Sequence, residues 1–307
     1  MKSTVKLLDK SSTKIVDKSM RRAASLIICK PIHHEFKDAP DFQVLLVKRN
    51  QRGLFKHLHV YPGGVVDDVD DIQHWPNLDS KTNFLLDHRI AAIRETFEET
   101  GIPLISPLPK LLKSQWKNLR SEVHNDAKKF LNLNKTVKAL PQVDNLIHFS
   151  HWITPEIEKK RFDTHFFITT LLPDDPCLTE ACADGLETMH LEWLRPDEAL
   201  AKFRNGEIDF FPPQFCTLSD LTTMKFKDVQ DIVEGKKFLP PVVPILPNPF
   251  LSEEGNVYFS LPGDEKHSTT MGNKGARNRI KIERREGGGF KDFLWERTKE
   301  FKFASKL

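Results

Sequence analysis

Apolar and polar positions along the chain fall into runs of strand period, runs of helical period, and loops punctuated by proline and glycine. Residues 23–30 (AASLIICK) and 42–48 (FQVLLVK) are short apolar runs rich in isoleucine, leucine and valine, which predicts two buried strands. In residues 84–101, Leu86, Ile90, Ile93 and Phe97 recur at helical spacing and define a side that packs on a core. On the other side Glu95, Glu98 and Glu99 stand at i, i+3 and i+4, so their carboxylates share one face. Ala91 and Ala92 precede them by a turn and leave room for something to approach. Gly101 ends the helix, and Pro103 cannot continue it.

Residues 116–133 repeat the helical spacing through Trp116, Leu119, Val123, Ala127, Phe130 and Leu131. Residues 146–153 (LIHFSHWI) and 161–172 (RFDTHFFITTLL) read as strands turned at Pro155. In the second, alternation puts Arg161, Asp163 and His165 on one face and Phe162, Thr164 and Phe166 toward the core. Within residues 210–215 (FFPPQF) two prolines start a helix that runs through Leu221. From residue 238 prolines crowd the chain, and residues 272–289 are basic and glycine-rich, which predicts an extended strap and a flexible tail.

At 307 residues, 39% apolar and 29% charged, the chain has an ordinary globular composition. Its net charge of +3, with acids and bases interspersed, argues against a nucleic-acid binder. No apolar run approaches the roughly 20 residues of a membrane span. Four cysteines without a CxxC pair, and no secretory signal, point to reduced structural thiols. The final tripeptide, Ser305-Lys306-Leu307, has the form of a peroxisomal address read by an import receptor.

Three carboxylates on one helix face repel, and each is pushed toward protonation unless a cation neutralises them. A hard divalent ion such as Mg²⁺ or Mn²⁺ takes oxygen ligands and, in the case of Mg²⁺, keeps several waters, which suits a phosphate-bearing substrate. Upstream, Tyr61-Pro62-Gly63-Gly64 supplies a glycine turn. Gly64, Asp70 and the run Arg94-Glu95-Thr96-Phe97-Glu98-Glu99-Thr100-Gly101-Ile102 together resemble the Nudix box of the Nudix hydrolases. The departures are an aspartate at position 70 where the family has glutamate, with Asp67, Asp68 and Asp71 as alternatives, the polar Thr96 at an apolar position, and an insertion between Asp70 and Arg94. Such an insertion can loop out over the surface at modest entropic cost.

The resemblance implies an α/β fold, the Nudix α/β/α sandwich, with a mixed sheet between helices and the insertion inside the box; the extended C-terminal strap follows from the proline-rich texture. Together they divide the chain into a lead-in (1–20), a Nudix domain (21–237) and a C-terminal extension (238–307). It also implies metal binding by Glu95, Glu98, Glu99 and the Gly63 carbonyl, with Arg94 orienting the glutamates. Residues 21–25 (RRAAS), 160–164 (KRFDT), 211–215 (FPPQF) and 261–265 (LPGDE) are similar to segments of the animal peroxisomal coenzyme A diphosphatases. That likeness implies cleavage of coenzyme A and acyl-coenzyme A to 3′,5′-ADP and a 4′-phosphopantetheine. The alternatives are a Nudix hydrolase acting on NADH, ADP-ribose or a nucleotide cap, and a catalytically silent metabolite-binding module. Glu98 inside the box and Glu187 outside it are the candidate general bases. Lys48, Arg49, Arg52, Lys56 and His57, ahead of the glycine turn, and Arg161 are candidates for holding substrate phosphate.

Overall fold

A computed structural model describes residues 20–33, 39–49, 58–180, 188–286 and 290–301. The two apolar runs near the start form β1 (Met20–Pro31) and β2 (Phe42–Arg49), which pair antiparallel. Both are apolar without alternation because both faces are covered. Along β1, Ile27 and Cys29 point into one core cluster, and Leu26 and Ile28 into the other. The mixed sheet runs β10 (Pro244–Ile245), β7 (Ile147–Ile153), β8 (Arg161–Thr170), β1, β2, β3 (His59–Val60). β4 (Gly63–Val65) also pairs with β1, and β9 (Thr188–Leu194) with β2. β1 and β8 are parallel, in a register that sets Ala24 opposite His165.

α1 (Leu86–Thr100), α2 (Lys113–Asn125) and α3 (Leu131–Val137) cover one face. The expected continuous helix over 116–133 is broken at Asp126, whose side chain accepts from the Lys128 amide at 3.1 Å and so caps a new turn. A minimal sheet of β5 (Ile105–Ser106) and β6 (Leu140–Pro141) flanks this side. α4 (Pro196–Asn205), α5 (Pro212–Leu221) and α6 (Phe226–Val233) cover the other face. α5 begins on its two prolines, as expected, since proline's fixed φ suits a first helical turn.

Two further expectations are corrected. The insertion does not simply loop out: Trp75 is buried, donates its indole N–H to the Val69 carbonyl at 2.9 Å and packs edge-on against Phe130. The expected C-terminal strap instead folds into a four-stranded antiparallel sheet of β11 (Asn248–Leu251), β12 (Val257–Ser260), β13 (Asn278–Arg284) and β14 (Phe290–Arg297). Ile280, Ile282, Phe290 and Phe293 from this sheet join the core that holds Phe203, Phe210 and Phe215. Arg285 pairs with Asp209, and Arg297 with Asp220, so charges also tie it to the rest of the molecule.

Candidate active site

α1 starts at Leu86, two residues later than expected, because Leu85 adopts a left-handed backbone with φ 53°. It ends on Gly101, whose φ of 78° costs a glycine little, and whose amide returns to the Phe97 carbonyl at 2.9 Å. Leu86, Ile90, Ile93 and Phe97 are buried as the spacing requires. The room expected beside Ala91 and Ala92 is taken: both are fully buried, in the core cluster that includes Ala24 of β1.

The acidic face of α1 turns toward β4. Gly63 donates its amide to Glu99 at 3.0 Å. At Gly64 an added Cβ would lie 2.4–2.5 Å from the Glu95 carboxyl atoms, so only a residue without a side chain lets this carboxylate rest against the strand. Gly63 is as constrained from behind, since its Cβ would meet the Ala24 carbonyl oxygen at 2.3 Å. Gly64→Ala is therefore expected to displace Glu95 and lower turnover about a hundredfold, the loss that a misplacement of about 1 Å can bring. Initial rates at saturating divalent cation measure it.

Arg94 organises the cluster from beneath. Its Nε and Nη2 clasp both oxygens of Asp70 at 2.9 and 2.8 Å, its Nη1 donates to Glu95 and Glu98 at 2.9 and 2.8 Å, and Nη2 also reaches the Val65 carbonyl at 3.0 Å. Burial works against its charge, but Asp70, Glu95 and Glu98 together hold the guanidinium proton well above its ordinary value. Of the acidic residues between Gly64 and Ile72, it is Asp70 that meets Arg94; it is completely buried and also closes a capping box with Asp67. The long insertion leaves this partnership in place.

One nitrogen bonded to both Glu95 and Glu98 holds these carboxylates side by side. Asp70, Glu95 and Glu98 gather around Arg94, Glu99 stands beside them on the same helix face, and Arg120 donates to the Glu98 main-chain oxygen at 2.7 Å. Burial pushes the Glu95 carboxyl up to about 7, with Arg94 opposing and Glu98 adding to the shift. An oxygen-only set of crowded carboxylates fits a hard divalent cation.

The other expected site residues are placed unevenly. Lys48 lies on the end of β2 that pairs with His59, just ahead of the glycine turn, and Arg49 is exposed beside it. Arg161 is distant: it pairs with Met20, whereas Gly63 pairs with Ser25, a separation of about 16 Å along β1 at strand rise. Its Nε donates to the Thr154 carbonyl. Arg52, Lys56, His57, Glu187 and the final tripeptide lie outside the described residues.

Four histidines also gather under the first turn of α1, of which the sequence pattern marks only His165. His88, His148, His151 and His165 are in ring contact, with His151 and His165 stacked at 3.9 Å between centroids. Strand alternation alone puts His148 and His151 on opposite faces. A bulge between His148 and Ser150 shifts the register and turns both inward. The HFSH string was the available signal. Burial lowers His165 to about 3, and His148 and His88 to about 4.

A sequence model described as the NUDT19 Nudix domain matches residues 84–221. A Caenorhabditis elegans protein, "Putative nudix hydrolase 7", is 30% identical over 261 residues, covering 81% of this chain and 75% of that protein. The chain belongs to the Nudix hydrolases. A Xenopus laevis relative of this Nudix hydrolase, "Acyl-coenzyme A diphosphatase NUDT19", is 29% identical over 286 residues, covering 73% of this chain and 71% of the frog protein. Among solved structures, a Nudix hydrolase from Alicyclobacillus acidocaldarius superposes with a TM-score of 0.55 at 19% identity, covering 67% of this chain and 92% of the bacterial one, which supports the Nudix fold.

Proposed function

We propose that this Nudix hydrolase cleaves the diphosphate of coenzyme A and acyl-coenzyme A, releasing 3′,5′-ADP and a 4′-phosphopantetheine. The observation that carries the chemistry is the carboxylate strip on α1, with Glu95 and Glu98 bonded by Arg94, Glu99 held by the Gly63 amide and Glu95 packed against Gly64. The choice of substrate draws on the relatives named acyl-coenzyme A diphosphatases, in frog and in human.

Glu95, Glu98 and Glu99, with the Gly63 carbonyl, are the residues proposed to hold Mg²⁺ or Mn²⁺. When bound, such an ion neutralises diphosphate charge and acidifies a coordinated water. The chain's own part is positional. Arg94 fixes Glu95 and Glu98 side by side, and the Gly63 amide fixes Glu99. Glu98, or Glu187 from outside the box, takes the proton of the attacking water. Lys48, Arg49 and Arg52 are the proposed phosphate contacts, Lys48 and Arg49 at the strand end leading into the turn. The Ser305-Lys306-Leu307 tripeptide supports a peroxisomal location, through its import receptor.

Product analysis tests the assignment. Metal-stripped protein given coenzyme A and Mg²⁺ or Mn²⁺ is expected to release 3′,5′-ADP, with activity abolished by EDTA and restored by the ion. Cleavage of NADH or ADP-ribose with no 3′,5′-ADP from coenzyme A would overturn the substrate and leave the hydrolase. No turnover of any of these substrates would favour a silent binding module.

A further inference from the structure

We propose that His151, Asp163 and His165 form a second divalent-metal site in this protein, one for a zinc-class ion and separate from the carboxylates of α1. Antiparallel pairing of β7 with β8 sets His151 directly across from His165, and alternation brings Asp163, two residues earlier, onto the same face. One donor atom from each of the three lies within 4.8 Å of the other two. His151 Nε2 is hydrogen-bonded to Asp163 Oδ1, and His165 Nε2 is 3.8 Å from the same oxygen. A tetrahedral ion with metal–ligand distances of about 2.0–2.2 Å spaces its donors about 3.3–3.6 Å apart, so small side-chain rotations complete the site.

The surroundings are those of a metal centre. His165 Nδ1 lies 3.0 Å from His148 Nε2. Donation of the Nδ1 proton to that neighbour leaves the Nε2 lone pair of His165 directed toward Asp163, the outer-shell arrangement that orients ligating imidazoles. His88 packs edge-on against His165 and is held at 2.7 Å by Asp87, which Arg22 also pairs. The site therefore joins β7, β8 and the first turn of α1. His151 and His165 are buried, whereas the Asp163 side chain keeps 27% of its surface exposed and gives a way in. Three protein donors leave a fourth position for water.

Two sites in one chain would then sort ions by donor chemistry. The α1 strip offers oxygen only, which suits Mg²⁺, while two imidazoles and one carboxylate suit zinc-class ions. They are distinct in space. His88 precedes Glu95 by two turns, about 10 Å along the axis, and His165 and Gly64 lie on opposite sides of Ala24, about 10 Å apart.

Titrating the metal-stripped full-length protein with Zn²⁺ and with Co²⁺, in excess Mg²⁺, tests the site by calorimetry and by visible absorption. One equivalent of each ion is expected to bind, Co²⁺ with the strong visible bands of a four-coordinate complex. Glu98→Gln is expected to keep that equivalent. His151→Gln and Asp163→Asn are each expected to weaken it at least about a hundredfold with circular dichroism unchanged, and His148→Gln to weaken it about 10–100-fold. Absence of Zn²⁺ uptake by the parent protein would overturn the proposal. So would uptake that survives both His151→Gln and Asp163→Asn, or uptake lost in Glu98→Gln.

Discussion

Glu98→Gln is expected to cut turnover by at least about a hundredfold while leaving the fold intact, the scale on which loss of a positioned acid–base group acts. The amide keeps the size of the glutamate and one oxygen that can accept from Arg94 Nη1, so the packing around α1 survives. What it loses is the negative charge proposed to hold a cation and the oxygen proposed to take a proton. Rates of coenzyme A cleavage, set beside unchanged thermal unfolding, separate chemistry from stability. Undiminished turnover would remove Glu98 from the mechanism.

The largest effect on stability is expected at Arg94. Arg94→Leu strands Asp70, which has no solvent exposure, together with Glu95 and Glu98, and should cost about 3–5 kcal/mol in metal-free buffer. The double variant Arg94→Leu/Asp70→Leu should be destabilised by less than the sum of its single changes, with a coupling of about 0.5–3 kcal/mol. Urea unfolding of the four proteins closes the cycle. Additive costs would mean that Asp70 and Arg94 do not act as a pair, and that the aspartate is held by its turn alone.

The central strands and α1 were legible because their signals are local. Two apolar runs without alternation announce strands covered on both sides, and Leu86, Ile90, Ile93 and Phe97 announce a helix packed on one. The common face of the glutamates followed from the same arithmetic. Their burial did not, because it depends on Gly63 and Gly64 admitting carboxylates against a strand more than thirty residues earlier. Sequence alone leaves Asp70 one of four neighbouring aspartates, and the Arg94 clasp distinguishes it. The C-terminal sheet was hidden for a related reason. Alternation in β13 sits inside a basic, glycine-rich run, and the strand two before it, β11, lies among prolines that read as a strap. The histidine cluster needed a bulge, which has no sequence period.

The match over residues 84–221 is shorter than the unit that folds. β1 is flanked by β8 on one side and by β2 and β4 on the other, so excising the matched segment would take out the middle of the sheet along with Gly63 and Gly64. The same cut would strip Ile280, Ile282, Phe290 and Phe293 from the interior they share with α4 and α5. A fragment trimmed to the recognisable signature would carry the glutamates on a helix with half its floor and one wall gone, and expression work on this enzyme belongs with boundaries that begin before Met20 and end after Phe301.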